Sequence, residues 1–577
     1  MEKSKITKSL AVFASVLLII IIGVASFAYF GTFNVNLNNN VAVNINSSSP
    51  GDATFTSNAT QLNLQVPAAN MSFTVANNEV AAAENTAFLD VTLTGSSNLL
   101  TTCTYDIVYE YDAGSNVYGQ GTTTKTSGAT KEITIEVNGM NGNNHFATET
   151  NFDHANVQSY YDSTNKYYKL VEGATIKSLG TEQSVRWKIT GRYYNLTASQ
   201  AQLGGKNFTG KIYAISKGCS SEDGTSVKKG YETILTNNGG KTTIEAKTAP
   251  SFASIETSNA GMYSYTEGTG KTYYYRGAVD NNWVKYGKFK EDQIVYRGFY
   301  DENYTDDDYI DYPTLAECQT GVNFDDYDSS YNYKCKEVVY AHKGDDMYWR
   351  IIRVDKDNKI KMIYAGSKAP SESTKVAITG ANTNMGMTAY NKAEYVGFQY
   401  TTDLQRGTTT NSTIKTYLDN WYTKYFNENI STSRFVKTTF CNDRNTSSTW
   451  ASNGSGFSYD PFTRLHAVTP PLTFECNTAD VVTNNFGLIT ADEIVLAGGK
   501  FNTDNSAFYL NNNMAYWAGS PAGFDGSYSH VFVLIPLDGL GYGGVYDRGN
   551  AARGVVSLSA DTKLLGSGTY DDVYIVS

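Results

Sequence analysis

The sequence predicts a mainly β protein made of an N-terminal membrane or signal helix, a two-sheet β-sandwich and a C-terminal α+β domain. Three observations predict it. An apolar run from Leu10 to Phe30 follows Lys3, Lys5 and Lys8. Short runs of alternating apolar and polar residues, separated by turn residues, fill the next part of the chain. The composition of 44 Tyr, 50 Gly and 10 Pro among 577 residues favours strands and tight turns over helical bundles. That length implies about three units at roughly 100 to 200 residues per domain.

In chain order, residues 1–33 come first. A helix of about 20 apolar residues, at about 1.5 Å per residue, crosses the hydrocarbon core of a bilayer. No charge follows the run until Asp52. Lysines on one side only place the N-terminus in the cytoplasm and everything after it outside. The segment is retained as a single-pass anchor or cleaved near Ala25-Ser26-Phe27-Ala28. The chain is then held at the cell membrane or secreted, and the lipid bilayer is its first partner. Residues 34–60, rich in Asn, Ser and Val, read as a linker or a loose first strand.

Residues 61–218 carry the sandwich pattern: Leu62, Leu64, Val66; Met71, Phe73, Val75; Phe88, Val91, Leu93; Cys103, Tyr105, Ile107, Tyr109; Ile133, Ile135, Val137; Val185, Trp187, Ile189; and Phe208 to Ile215. Period-two alternation marks strands buried on one face. Seven of them are what an Ig-like sandwich needs. Asn138 to Asp162 reads as a loop or insertion. Residues 219–260, poor in large apolar side chains, read as a second linker.

Residues 261–577 form the predicted α+β head. Tyr273 to Gly277 and Trp283-Val284 open it, and a hairpin pairs Tyr348–Val354 with Lys359–Tyr364 across Asp355-Lys356-Asp357-Asn358. Ser412 caps a helix whose Ile414, Leu418, Trp421, Tyr422 and Tyr425 share one face. Thr490 and Glu493 form a capping box ahead of Ile494 to Ala497, with Gly498-Gly499 as the stop. Strands return at Phe508–Leu510, Trp517, Val531–Leu534, Val555–Leu558 and Val573–Val576. Helices enclosed by strands define an α+β domain.

The six cysteines suit three disulfides in an exported chain: Cys103 with Cys219, Cys318 with Cys335, and Cys441 with Cys476. This is one of fifteen connectivities. It keeps each bridge within, or at the edge of, one unit.

The net charge of −11 argues against nucleic acid and anionic lipid as partners. Five histidines, His145, His154, His342, His466 and His530, show no metal or catalytic spacing, and no G-x-S-x-G elbow, P-loop or H-E-x-x-H helix is present. A Cys441–His466 dyad would need a thiol that Cys476 takes. The reading is therefore of a protein without catalysis or a resident cofactor, with calcium the one candidate ion. Calcium takes six to eight oxygen ligands. The acidic stretch from Asp301 to Asp328 offers Asp306, Asp308 and Asp311, although its spacing is not that of an EF-hand. Exposed aromatics stack on sugars or contact proteins. The candidate ligand set is Tyr274, Arg276, Trp283, Trp517 and Arg553.

Two resemblances extend this reading. Ala25-Ser26-Phe27-Ala28-Tyr29-Phe30 resembles the end of the signal peptide in camelysin-like biofilm-fibre proteins of Gram-positive bacteria, with Thr32 near where those proteins carry aspartate. The resemblance implies a surface-exposed β-sandwich. The succession YYYRGAVDNNWVKYG, YWRIIRV, IKTYLDNWY, FCNDR, FGLITADEIVLAGG, AYWAGSP and ARGVVSL resembles a C-terminal domain of uncharacterised surface proteins from Firmicutes gut bacteria. Ala552-Arg553-Gly554-Val555 keeps the arginine of that family's closing strand and lacks its proline. The pattern from Trp517-Ala518-Gly519-Ser520 to Arg553 is also similar to the C-type-lectin-like fold of formylglycine-generating enzymes, whose reactive cysteine has no counterpart after Cys476. The expected function is adhesion or recognition of a glycan or surface protein. A self-associating subunit of a fibre or biofilm matrix comes second, and an enzyme acting on glycans or cell wall third.

Overall fold

A computed structural model describes residues 54–66, 81–95, 99–112, 131–139, 141–194, 203–224, 227–299, 309–312, 314–320, 334–368, 390–402, 407–427, 434–449, 456–467, 470–476, 480–547 and 550–577, with positions 200, 370 and 385. The predicted membrane segment, the camelysin-like stretch, and the run at Met71, Phe73 and Val75 lie outside the described residues. Among those described, no helix is long and apolar enough to cross a membrane. The architecture is mainly β.

Eight main strands build the sandwich: β1 (Thr54–Ser57), β2 (Thr60–Gln65), β3 (Ala81–Thr94), β4 (Leu99–Tyr111), β5 (Ile133–Asn138), β6 (Tyr167–Leu179), β7 (Gln183–Tyr194) and β8 (Asn207–Asp223). One sheet runs β1-β3-β7-β5 and the other β2-β8-β4-β6, all antiparallel, with two-residue strands extending them. Leu89, Val91, Leu93, Trp187 and Ile189 from the first sheet meet Leu62, Leu64, Tyr105 and Ile107 from the second in one buried cluster. The Trp187 indole N–H donates to the Tyr105 hydroxyl at 3.0 Å, which satisfies the polar atoms of two buried aromatics. Cys103 and Cys219 are register partners on β4 and β8, and their disulfide ties those neighbouring strands. The other two bridges join Cys318 to Cys335 and Cys441 to Cys476, so the predicted connectivity is the observed one.

The sandwich sharpens the sequence reading in three places. β6 is a 13-residue strand whose alternation is interrupted at Val171, Glu172 and Gly173, where Gly173 has φ +69° and the pairing with β4 shifts register. Thr54–Ser57, within the segment read as a linker or loose first strand, is an edge strand on β3. Asn138 to Asp162 is no bare loop, because its short strands pair with β5 and β6.

Residues 219–260 are likewise not a linker. β8 runs to Asp223, and helices α1 (Gly230–Asn237) and α2 (Lys241–Glu245) bury Ile234, Leu235 and Ile244 in the core of the head. The head sheet contains β9 (Asn259–Glu267), β10 (Gly270–Gly277), β11 (Trp283–Phe289), β12 (Asp346–Val354), β13 (Ile360–Gly366), β14 (Val555–Leu558) and β15 (Tyr574–Val576). Its order is β9-β10-β12-β11-β15, with β13 joining β12 to β14; β11 and β15 are parallel. The strand Tyr574–Val576 thus pairs with a strand some 290 positions earlier in the chain.

Both predicted helices form. Helix α3 (Thr413–Tyr425) is capped by Ser412 Oγ, which accepts from Lys415 N, and buries Ile414, Leu418 and Trp421. Helix α4 (Ala491–Leu496) has the full capping box. A second, five-stranded sheet includes Tyr516–Phe524, Ser529–Ile535 and Gly539–Gly544. Phe508–Leu510 is a correction: these residues form a buried turn rather than a strand.

Sandwich and head meet in a polar joint. Arg186 on β7 is held bidentately by Asp90, at 2.8 Å to each oxygen, and donates to the Lys343 carbonyl. Lys285 donates to the Ser184 carbonyl at 3.1 Å, Gln183 to that of Val576 at 3.2 Å, and Ser577 to that of Leu179 at 2.8 Å. Gly344 has φ +88°, and a Cβ there would sit 2.3 Å from the Arg186 guanidinium. Only glycine satisfies both constraints. The variant Gly344→Ala is expected to cost about 1–3 kcal/mol and to uncouple the two units, seen as a split of one thermal transition into two by calorimetry.

Candidate ligand cleft of the head

The β12–β13 hairpin that predicts itself so clearly in the sequence also builds one wall of a cleft of about 450 Å³. Its turn is locked locally: Asp355 Oδ1 accepts from Asp357 N at 2.9 Å and Lys359 N at 2.8 Å, and Asn358 takes φ +62°. The β9–β10 turn supplies Glu267 and Gly268. The first turn of α4 supplies Thr490, Asp492 and Glu493, and the Cys441–Cys476 disulfide braces the facing wall beside Phe440 and Phe474.

Glu493 organises the floor. One carboxylate oxygen accepts from Arg353 at 2.8 Å and Lys361 at 2.7 Å, and the other accepts from the Thr490 backbone N–H at 3.0 Å. Burial by itself raises a carboxyl pKa, but the charges of Lys361 and Arg353 prevail and hold Glu493 at about 2. The two cations also lie over aromatic rings, Arg353 over Phe474 at 4.7 Å and Lys361 over Phe440 at 5.1 Å.

A second network stands beside the first. Arg464 grips Asp492 through both oxygens, at 3.0 and 2.7 Å, and reaches Asp443 at 2.6 Å. Burial pushes the carboxyls of Asp443 and Asp355 upward. Seven carboxylates and three basic side chains line the space, so the cleft is electronegative. Chemically the arrangement offers fixed acceptors and donors around an open polar space, with the sulfurs oxidised. His466, the sequence candidate for a thiol partner, instead packs at 3.8 Å from Phe462 and 3.9 Å from Phe501.

The residues nominated from sequence as a ligand set do not converge. Tyr274 and Trp517 are core residues. Arg276 is buried and donates to the carbonyls of Val495 and Leu496 at 2.9 Å each, closing the C-terminal end of α4. Arg553 is buried and donates to the carbonyls of Tyr364 and Leu510. Trp283 is half-buried, with the Arg350 guanidinium 4.1 Å above its ring. These arginines serve backbone carbonyls that packing would otherwise leave unpaired. Of the calcium candidates, Asp306 and Asp308 lie outside the described residues. Asp311 is buried, with its oxygens taken by Arg297 at 2.7 and 2.8 Å and by the Tyr340 hydroxyl. Among the described residues no group of three His, Cys, Asp or Glu is placed to hold a metal.

Sequence reasoning read Thr490 and Glu493 only as a helix cap and passed over Arg353, Lys361, Asp443 and Asp492. The available signal was charge inside strands: Arg353 and Lys361 interrupt otherwise apolar runs, which marks buried partners. No protein-family model matches the chain, and no curated protein is significantly similar to it.

Replacing Glu493 by Gln leaves the buried Lys361 and the partly buried Arg353 without their counter-charge and is expected to cost about 3–5 kcal/mol. Because the folded pKa lies below the ordinary value of 4.5, the ionised Glu493 stabilises the protein above that pH, and the contribution is lost as pH falls from 4.5 toward about 2. Urea melts across that window should show the steep acid-side loss in the native chain and a flatter one in Glu493→Gln.

Proposed function

We propose that this is a cell-surface recognition protein of a Gram-positive bacterium, an adhesin, in which an Ig-like sandwich carries a C-type-lectin-like head and the head binds its ligand in the polar cleft without catalysis. The N-terminal segment 1–33 holds the chain at the membrane or is cleaved to release it. The observation that carries the reading is the cleft: an open space of about 450 Å³ whose ionic groups are braced by other protein groups and by a disulfide. Such a site is pre-organised to bind polar groups, hydroxyls and amines included. Three disulfides support an oxidising compartment. The resemblances to surface proteins of Firmicutes and to biofilm-fibre proteins support the same setting.

The test is binding of the purified chain to immobilised glycans and to bacterial and host surface proteins, with calcium and with chelator. Lys356 and Glu475 are exposed on the cleft rim. The double variant Lys356→Ala, Glu475→Ala is expected to keep its melting temperature and to lose at least about tenfold in affinity, about 1.4 kcal/mol. Saturable binding unchanged by that variant would move the site elsewhere, and silence across all ligands would leave the fibre-subunit reading in its place.

A further inference from the structure

The cations that line the cleft are all committed to protein partners, and three of its carboxylates are not. Arg353 and Lys361 converge on Glu493, and Lys356 lies 3.1 Å from both oxygens of Asp357. Arg464 takes Asp492 and Asp443. That leaves Glu267, Asp355 and Glu475. Each has one oxygen occupied by neutral donors: Glu267 by the Thr272 hydroxyl at 2.7 Å, Glu475 by the Gly268 N–H at 2.9 Å, and Asp355 by the backbone N–H groups of its own turn. Among the described residues none of the three forms an ion pair, and the second oxygen of each accepts from no protein group.

The fold brings these three to one rim. The β9–β10 turn carries Glu267 and, through Gly268, holds Glu475. At the start of β10 a Cβ on Gly270 would meet Lys356 Cβ at 2.8 Å, so this turn lies directly against the 355–358 turn. Burial outweighs the nearby charge of Arg353 and pushes the Asp355 carboxyl upward, the mark of a carboxylate short of positive charge. A metal ion is a poor match for that need. Calcium gathers six to eight oxygens around one point, whereas among the described residues no three carboxylates are placed to do so. Carboxylates spread along a rim match a larger, organic cation, which each can meet through a charge-assisted hydrogen bond.

The rest of the lining narrows what carries the cation. Phe440, Phe474 and Val481 are the large apolar side chains of the cleft, and Lys361 and Arg353 already lie over the two phenyl rings. A long alkyl stem, such as that of lysine, finds little apolar surface to lie along. Hydroxyl groups do find partners. Thr439 is exposed on the wall, Thr473 Oγ1 accepts from Glu475 N at 2.9 Å and keeps its O–H to donate, and the free carboxylate oxygens accept. The volume of about 450 Å³ lies within the range of small-molecule sites, about 300–1,000 Å³. On the reading of the cleft as the binding site, we propose that it selects an amino sugar with a free ammonium group, held by Glu267, Asp355 and Glu475, with its hydroxyls on Thr439 and Thr473.

The test is calorimetric titration of the whole chain with a glucosamine tetramer and with its N-acetylated counterpart, which differ in charge at the amine alone, and with a Gly-Lys peptide. The free-amine tetramer is expected to bind at least about tenfold more tightly than the acetylated one, and more weakly as salt rises. Glu267→Gln with Glu475→Gln should abolish that preference and leave the melting temperature in place. Should this pair fail to fold, the comparison of the two tetramers on the unaltered chain still decides. Equal affinity for the two tetramers, weakened alike by Lys356→Ala, Glu475→Ala, would overturn the ammonium group and keep the cleft as the binding site. Amine-dependent binding that neither cleft variant changes would overturn both. Binding of neither tetramer, or tighter binding of the Gly-Lys peptide, would overturn the amino sugar.

Discussion

The head is organised around a carboxylate that two different levels of structure need at once. Glu493 completes the capping box of α4, and its other oxygen is the meeting point of Arg353 on one strand and Lys361 on the next. A helix start, two neighbouring strands and the floor of the cleft are therefore held by one side chain. Buried ion clusters of this kind stabilise little relative to apolar packing, but losing one member leaves the others uncompensated. The position of α4 against the sheet is specified by that penalty, and the cleft inherits its shape.

The same logic recurs at the other buried cations. Arg276, Arg553 and Arg444 donate to backbone carbonyls where irregular segments end inside the core. A domain with this much turn and this little long helix has many carbonyls that no ladder satisfies. Arginine, with five donors in a planar fork, reaches several of them from one position. The joint between sandwich and head follows suit: Arg186, Lys285 and Gln183 donate across it to main-chain oxygens.

Legibility from sequence tracked the range of the interaction involved. The helix caps at Ser412 and Thr490, the 355–358 turn and the period-two runs among the described residues are local, and each forms as read. The disulfides were legible because pairing in sequence order keeps each bridge inside a unit, and Cys103 with Cys219 proves to be a cross-strand register pair. β6 was missed because Val171, Glu172 and Gly173 break its alternation where the strand bulges. Residues 230–245 were missed because short helices with few apolar residues look like linker until the head sheet receives Ile234 and Ile244.

By itself the sequence determined the mainly β character, the sandwich, the two capped helices and the three disulfides, since these depend on residue patterns that neighbours along the chain already contain. Only the tertiary structure decided which charges became core. The chemistry of an arginine is the same whether it faces solvent or a carbonyl, and burial depends on elements hundreds of residues away. For that reason Arg276, Trp517 and Arg553 read as surface ligands and proved to be scaffold. Arg353 and Lys361, unremarked in their strands, emerged beside Glu493 at the base of the cleft.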